Sequence, residues 1–142
     1  MKEMFSTQEI MCPAFRKRLV MYTGEESLKS IFFYLQTYKF ALLKHGIKDS
    51  ETYEFWYFHE FVKNRFGFSE STAGWKNMIV ADYLGFKGDM KTWCWEDFFE
   101  REKEMNIEDH KASIKYFFEL FDEFYALSLK EYMQIVEDWE NR

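Results

Sequence analysis

The sequence predicts an all-α fold, and three observations lead there. Apolar residues recur at intervals of three and four rather than two, as in Phe117, Phe121 and Phe124. That spacing lines them along one face of a helix with 3.6 residues per turn. Capping-box pairs occur at Ser6/Glu9, Thr23/Glu26 and Ser128/Glu131, where a hydroxyl caps the N–H three residues on and the carboxylate reaches back. The chain also holds a single proline in 142 residues, so little interrupts its helices. The expectation is one compact all-α domain, residues 1–142, of six or seven helices.

The elements follow in order. Ser6 opens a first segment in which Met11, Phe15, Leu19 and Tyr22 keep helical spacing. Pro13 either kinks that segment or marks its true start just after Cys12. Thr23 with Glu26 opens a second helix, with Leu28, Ile31, Leu35, Tyr38 and Leu42 as one stripe. Phe33 and Phe40 lie well off the stripe, which predicts burial on more than one side. Lys44, His45 and Gly46 supply a basic last turn and a glycine cap.

Asp49 or Ser50 starts a third helix, which ends at Gly67 and turns Phe55, Phe58, Phe61, Val62 and Phe66 inward. Ser71 or Thr72 begins a fourth, with Trp75, Ile79 and Tyr83 inward and Gly85 closing it. Asp89 or Thr92 opens a fifth, where Trp95, Phe98, Phe99 and Met105 share a face. Asn106 with Asp109 caps a sixth, whose stripe is Ile114, Phe117, Phe118, Phe121, Phe124 and Tyr125. Ser128 starts the last, with Tyr132, Ile135, Val136 and Trp139 inward. Residues 66–74 and 85–89 read as loops.

Composition narrows the function classes. Hydrophobic residues at 47% exclude intrinsic disorder. The longest apolar run, Ile31 to Leu35, is far short of the roughly 20 residues of a spanning helix. Met1, Lys2 and Glu3 do not begin a secretory signal. With only Cys12 and Cys94 as thiols, the expected compartment is the cytoplasm and the expected state of both is reduced. Residues 1–91 carry 13 basic and 11 acidic side chains, whereas residues 92–142 carry 6 and 14. An acidic carboxyl-terminal half disfavours nucleic acid and anionic membrane as direct partners and favours a basic one.

Catalytic and metal motifs fail one by one. His59-Glu60 begins like a zincin helix, but Lys63 stands where the second histidine belongs. None of the three histidines has a glutamate three residues before it, as di-iron bundles require. No glycine-rich phosphate loop or Gly-x-Ser-x-Gly elbow occurs. His59 and His110 read as structural histidines. Glu119, Asp122 and Glu123 have the chemistry of a metal or acid–base cluster, but such clusters are more often a wet helix face. No catalytic residue, metal or cofactor is expected.

Two surfaces remain as candidates. On a helix that includes residue 93, Trp93, Asp97, Glu100 and Glu104 run along one ridge opposite Trp95. Burying that ridge would bury three carboxylates at several kcal/mol each unless paired, so it reads as an interface with an aromatic anchor. Tyr116, Glu119, Asp122 and Glu123 repeat the arrangement on the next helix. Asp109, near that helix's start, is explained by the helix dipole alone. The competing surface is Tyr53, Trp56 and Tyr57, placed on the side of Glu60, Lys63 and Asn64.

The stretches Phe58-His59-Glu60-Phe61-Val62-Lys63-Asn64-Arg65-Phe66-Gly67, Ser71-Thr72-Ala73-Gly74-Trp75-Lys76-Asn77-Met78-Ile79 and Phe117-Phe118-Glu119-Leu120-Phe121-Asp122 resemble the helical immunity proteins of bacterial polymorphic-toxin and contact-dependent-inhibition systems. The likeness covers the middle and later thirds of the chain. It implies a small, acidic, cytoplasmic protein that occludes a cognate toxin domain, frequently a nuclease, and it carries over no catalytic residues. The alternative is a helical adaptor that binds through the Tyr53, Trp56 and Tyr57 face. The oligomeric state is left open.

Overall fold

The computed structural model describes residues 6–47, 53–69 and 73–141, and every regular element among them is helical. The helix starts expected at Asp49 or Ser50 and at Ser71 or Thr72 lie outside the described residues. Contacts divide the chain into two compact units, Met1–Phe55 and Trp56–Arg142.

The first unit opens with three short helices instead of one segment: α1 (Thr7–Ile10), α2 (Pro13–Lys17) and α3 (Leu19–Thr23). Ser6 and Glu9 form the expected capping box. Pro13 occupies the first turn of α2 with Cys12 extended before it (ψ 166°), so the proline marks a start rather than a kink. Its ring disfavours helical backbone at the preceding residue, and its missing N–H costs nothing at a helix start. Gly24 closes α3 in the left-handed region, at φ +86°.

The fourth helix, α4 (Leu28–Lys44), is capped by Ser27, whose Oγ accepts from the Ser30 N–H at 3.1 Å. The expected Thr23/Glu26 box does not cap it. Thr23 Oγ1 instead donates to the carbonyls of Leu19 and Glu25 at 3.0 and 2.9 Å. Leu28, Ile31 and Leu35 are buried as expected, but Phe33 and Phe40 are exposed. They lie about 200° and 140° around the helix from Ile31 and Leu35 respectively, so a helix buried on one side leaves them in solvent. The Ile47 N–H donates to the Leu42 carbonyl at 2.9 Å and closes the helix around Gly46. Phe15 anchors this unit, stacked on Tyr22 at 5.2 Å and tilted against Tyr34 at 5.4 Å.

A 3-10 turn at Phe55–Tyr57 leads into α5 (Phe58–Phe66). Then come α6 (Gly74–Leu84), a second 3-10 turn at Met90–Thr92, α7 (Trp95–Lys103), α8 (Ile107–Tyr125) and α9 (Leu129–Glu140). The second unit is built around Phe58, which is fully buried and meets Phe61, Trp75, Phe117, Phe121 and Phe124 at 5.7–6.3 Å. Trp75 stacks on Phe117 at 4.9 Å. Helices α5, α6 and α8 pack around this cluster, α9 packs on α5, and α7 packs on α6. Tyr83 departs from its expected inward place. It is exposed, and its hydroxyl donates to Asp109 at 2.6 Å. Eight residues after Trp75 the helix has drifted by about 80°, which carries Tyr83 off the core face.

Candidate interaction surface

The acidic ridge depends on where α7 begins. Cys94 is its N-cap and Trp95 its first residue, so Trp93 precedes the helix with extended backbone (ψ 143°). The four-residue step from Trp93 to Asp97 therefore does not place the two on one ridge. Trp93 packs instead against Phe86 at 5.2 Å, Phe68 at 5.3 Å and Trp95 at 5.4 Å. Its indole N–H donates to the Lys87 carbonyl at 3.1 Å. An indole that satisfies both its ring and its N–H inside its own unit is a packing residue.

Asp97, Glu100 and Glu104 remain, all exposed. Glu100 accepts from Lys103 Nζ at 3.2 Å, but both side chains are mostly in solvent. An exposed pair of this kind is worth under about 1 kcal/mol. Asp97 and Glu104 make no ion pair among the described residues. Glu96, which the ridge did not include, is exposed beside them. Phe99 is also exposed, at 44%, although it was expected in the core face. It stands about 100° from the buried Phe98 and is the aromatic that the outer face of α7 presents.

The second acidic group is more committed. Tyr116 is half-buried, packs on Phe66 at 5.5 Å and donates to Asp82 Oδ2 at 3.0 Å. Burial, together with the Asp82 carboxylate that accepts its proton, pushes its hydroxyl up to about 12. Glu123 is held by Arg65 through two contacts of 3.1 and 3.2 Å. Glu119 and Asp122 are exposed on the outer side of α8. Glu119 lies twelve residues into α8, roughly 18 Å along its axis from the helix start. Asp109 has a structural role. It completes the capping box with Asn106 and accepts from Tyr83, and the Tyr83 hydrogen bond first, then the Asn106 N–H, holds its carboxyl below the usual range.

The aromatic face also changes. Tyr53, Trp56 and Tyr57 precede α5 and do not share a helix with Glu60, Lys63 and Asn64. Tyr53 is buried, and Tyr57 meets Tyr132 edge-on at 6.0 Å. Glu60 is buried with Lys63 Nζ at 3.1 Å, and Asn64 donates to Asp138 at 3.2 Å. Trp56 alone of the three aromatics stays open, at 60% exposure, edge-on to His59 and Trp139 at 5.7 and 5.6 Å. Among the described residues no group of three His, Cys, Asp or Glu is placed to hold a metal ion, and no helix is long and apolar enough to cross a membrane.

No protein family, curated protein or solved structure matches the chain.

Proposed function

We propose that this protein is an immunity-type inhibitor, acting in the cytoplasm, whose acidic α7 face occludes the basic groove of a cognate toxin domain, most simply a nuclease. One observation carries the reading. The outer face of α7 presents the exposed carboxylates Glu96, Asp97, Glu100 and Glu104, with Lys103 and the exposed ring of Phe99 along one edge. The helix dipole accounts for Glu96 and Asp97 in the first turn of α7, but local energetics do not account for the others. Glu100 and Glu104 repel each other at i,i+4, and Glu104 sits at the helix C-terminus, where the dipole disfavours a negative charge.

A nuclease presents cationic side chains to phosphate, and a row of carboxylates takes the place of the nucleic acid. Phe99 supplies apolar contact area, while the carboxylates steer encounter and pair with Lys and Arg. Glu119 and Asp122 extend the negative field, and Trp93 supports α7 from beneath. The reading involves no metal, cofactor or bond-making step.

The test is capture of partners on tagged protein at low salt, followed by a rising salt gradient and mass spectrometry. The expected result is one stoichiometric basic protein released by salt, and its loss from the doubly reversed Asp97→Lys, Glu100→Lys variant with the helical spectrum unchanged. Equal capture by that variant overturns the α7 assignment. The exposure of Trp56 favours a second reading, an adaptor surface. A partner that resists salt and is lost with Trp56→Ala identifies that one instead.

A further inference from the structure

Helix α4 is apolar on two sides. Away from its buried Leu28, Ile31 and Leu35, Phe33, Phe40 and Leu43 are 55%, 63% and 78% exposed. With the exposed Lys29, Gln36 and Lys44 they form a strip inside an arc of about 100°, centred about 140° around the helix from the buried side. The series Lys29, Phe33, Gln36, Phe40, Leu43 advances by steps of four, three, four and three. That alternation is the seam of a helix–helix contact, because a period of 3.5 keeps one side of a helix against a neighbour along its length. A polar residue within the seam, here Gln36, is a register device of such contacts. An exposed apolar strip of this kind marks an interaction site.

The strip is also cationic. The 17-residue helix carries Lys29, Lys39 and Lys44 and no carboxylate. The helix dipole accounts for Lys44 in the last turn but opposes Lys29 in the first, where Lys29 Nζ lies 5.9 Å from the centre of the Phe33 ring. We propose that the α4 strip is the docking site of an amphipathic helix from a partner protein, apolar along its seam and acidic toward both ends. Lys29 and Lys44 are about 22 Å apart along the axis, so the docked helix is about four turns or longer, with carboxylates about fifteen residues apart. Beside the strip Tyr22, Phe33, Tyr34 and Tyr38 wall an open groove of about 620 Å³, which admits a large side chain of that helix as an anchor. Charge disfavours a second copy of the strip as the occupant. Parallel α4 helices set Lys29 against Lys29, and antiparallel ones set Lys29 toward Lys44. A bilayer is disfavoured by Gln36, which would be buried between Phe33 and Phe40 without a hydrogen-bond partner. The inference concerns the first unit and does not depend on the α7 reading.

The experiment is an amide NMR titration of the isotope-labelled full chain with two synthetic helical peptides of about three heptads. The peptides share a leucine seam and carry either glutamate or lysine on its flanks. The expected result is that the glutamate peptide moves resonances of α4 and Tyr22, with an affinity that falls as salt is added. The lysine peptide leaves α4 unmoved. Lys29→Glu with Lys44→Glu weakens the glutamate peptide by about tenfold or more and admits the lysine peptide to α4. Phe40→Ser, at an exposed position, weakens binding without changing the circular dichroism and serves if the charge variant misfolds. An α4 that the glutamate peptide does not move overturns the proposal. So does equal binding of the two peptides there, or binding that the charge reversal leaves unchanged. Self-association through α4 without peptide, or co-sedimentation with anionic vesicles that Phe40→Ser abolishes, gives the strip another occupant and overturns it as well. Toxin capture by the Lys29→Glu, Lys44→Glu variant is expected to be intact, which separates failure here from failure of the inhibitor reading.

Discussion

At the scale of single residues, aromatic side chains and carboxylates divide by whether they have a partner inside their own unit. Trp93 has four ring neighbours and a hydrogen-bonded N–H. Trp93→Ala is therefore expected to destabilise the protein by about 2–4 kcal/mol in urea unfolding, while the salt elution of a captured partner stays unchanged. Glu104 is the opposite case, exposed at a helix C-terminus. Glu104→Gln is expected to raise stability by about 0.3–1 kcal/mol and to weaken partner capture, because the dipole and Glu100 both oppose the charge that the partner uses. Tyr116 adds a pH signature. Its hydroxyl is raised from 10.0 to about 12 in the folded chain, so the stability it contributes is fully present below pH 10 and is lost as pH rises through 12. Unfolding midpoints measured between those values are expected to fall less steeply in Tyr116→Phe than in the native protein.

Helices obey local rules with local consequences. Three capping boxes form, at Ser6/Glu9, Asn106/Asp109 and Ser128/Glu131, and each satisfies N–H groups that a helix start leaves without an intrahelical acceptor. Ser128→Ala is expected to cost about 1 kcal/mol and to show as faster amide exchange in the first turn of α9. That helix is sensitive to its cap because it buries only Tyr132 and Ile135 and gains less from packing than α8 does. The Thr23/Glu26 pair had the same spacing and did not cap. Ser27 took the N-cap of α4, because the chain first turns through Gly24 at φ +86° and begins the helix four residues later.

For the whole molecule, hydrophobic burial and charge act on different parts of the chain. The second unit gathers its rings around Phe58 and Phe117, both fully buried. Phe58→Ala is expected to cost about 3–5 kcal/mol, read as a lower denaturant midpoint, because the cavity it leaves is lined by five other rings. Charge separates along the same division. Residues 1–55 carry 8 basic and 7 acidic side chains, and residues 56–142 carry 11 and 18. The negative excess is shared about equally by α7, α8 and α9, and exposed charge of this kind acts on partners more than on the fold.

The sequence by itself determined the all-helical class, three of the caps, the glycine ends at Gly46, Gly67 and Gly85, the core stripe of α8 and the acidic bias of the carboxyl-terminal half. Each is written in residues within about four positions of one another or in composition, so no distant contact is needed to read it. Only the tertiary structure decided which apolar faces find cover. Phe33 and Phe40 were expected inside and stand in solvent, Phe99 was expected inside and is exposed, and Trp93 was expected outside and is packed. A helical wheel says which residues share a side, but whether that side is buried depends on elements brought to it from elsewhere in the chain. The wheel itself rests on where a helix starts, and moving the start of α7 to Trp95 removed Trp93 from the ridge.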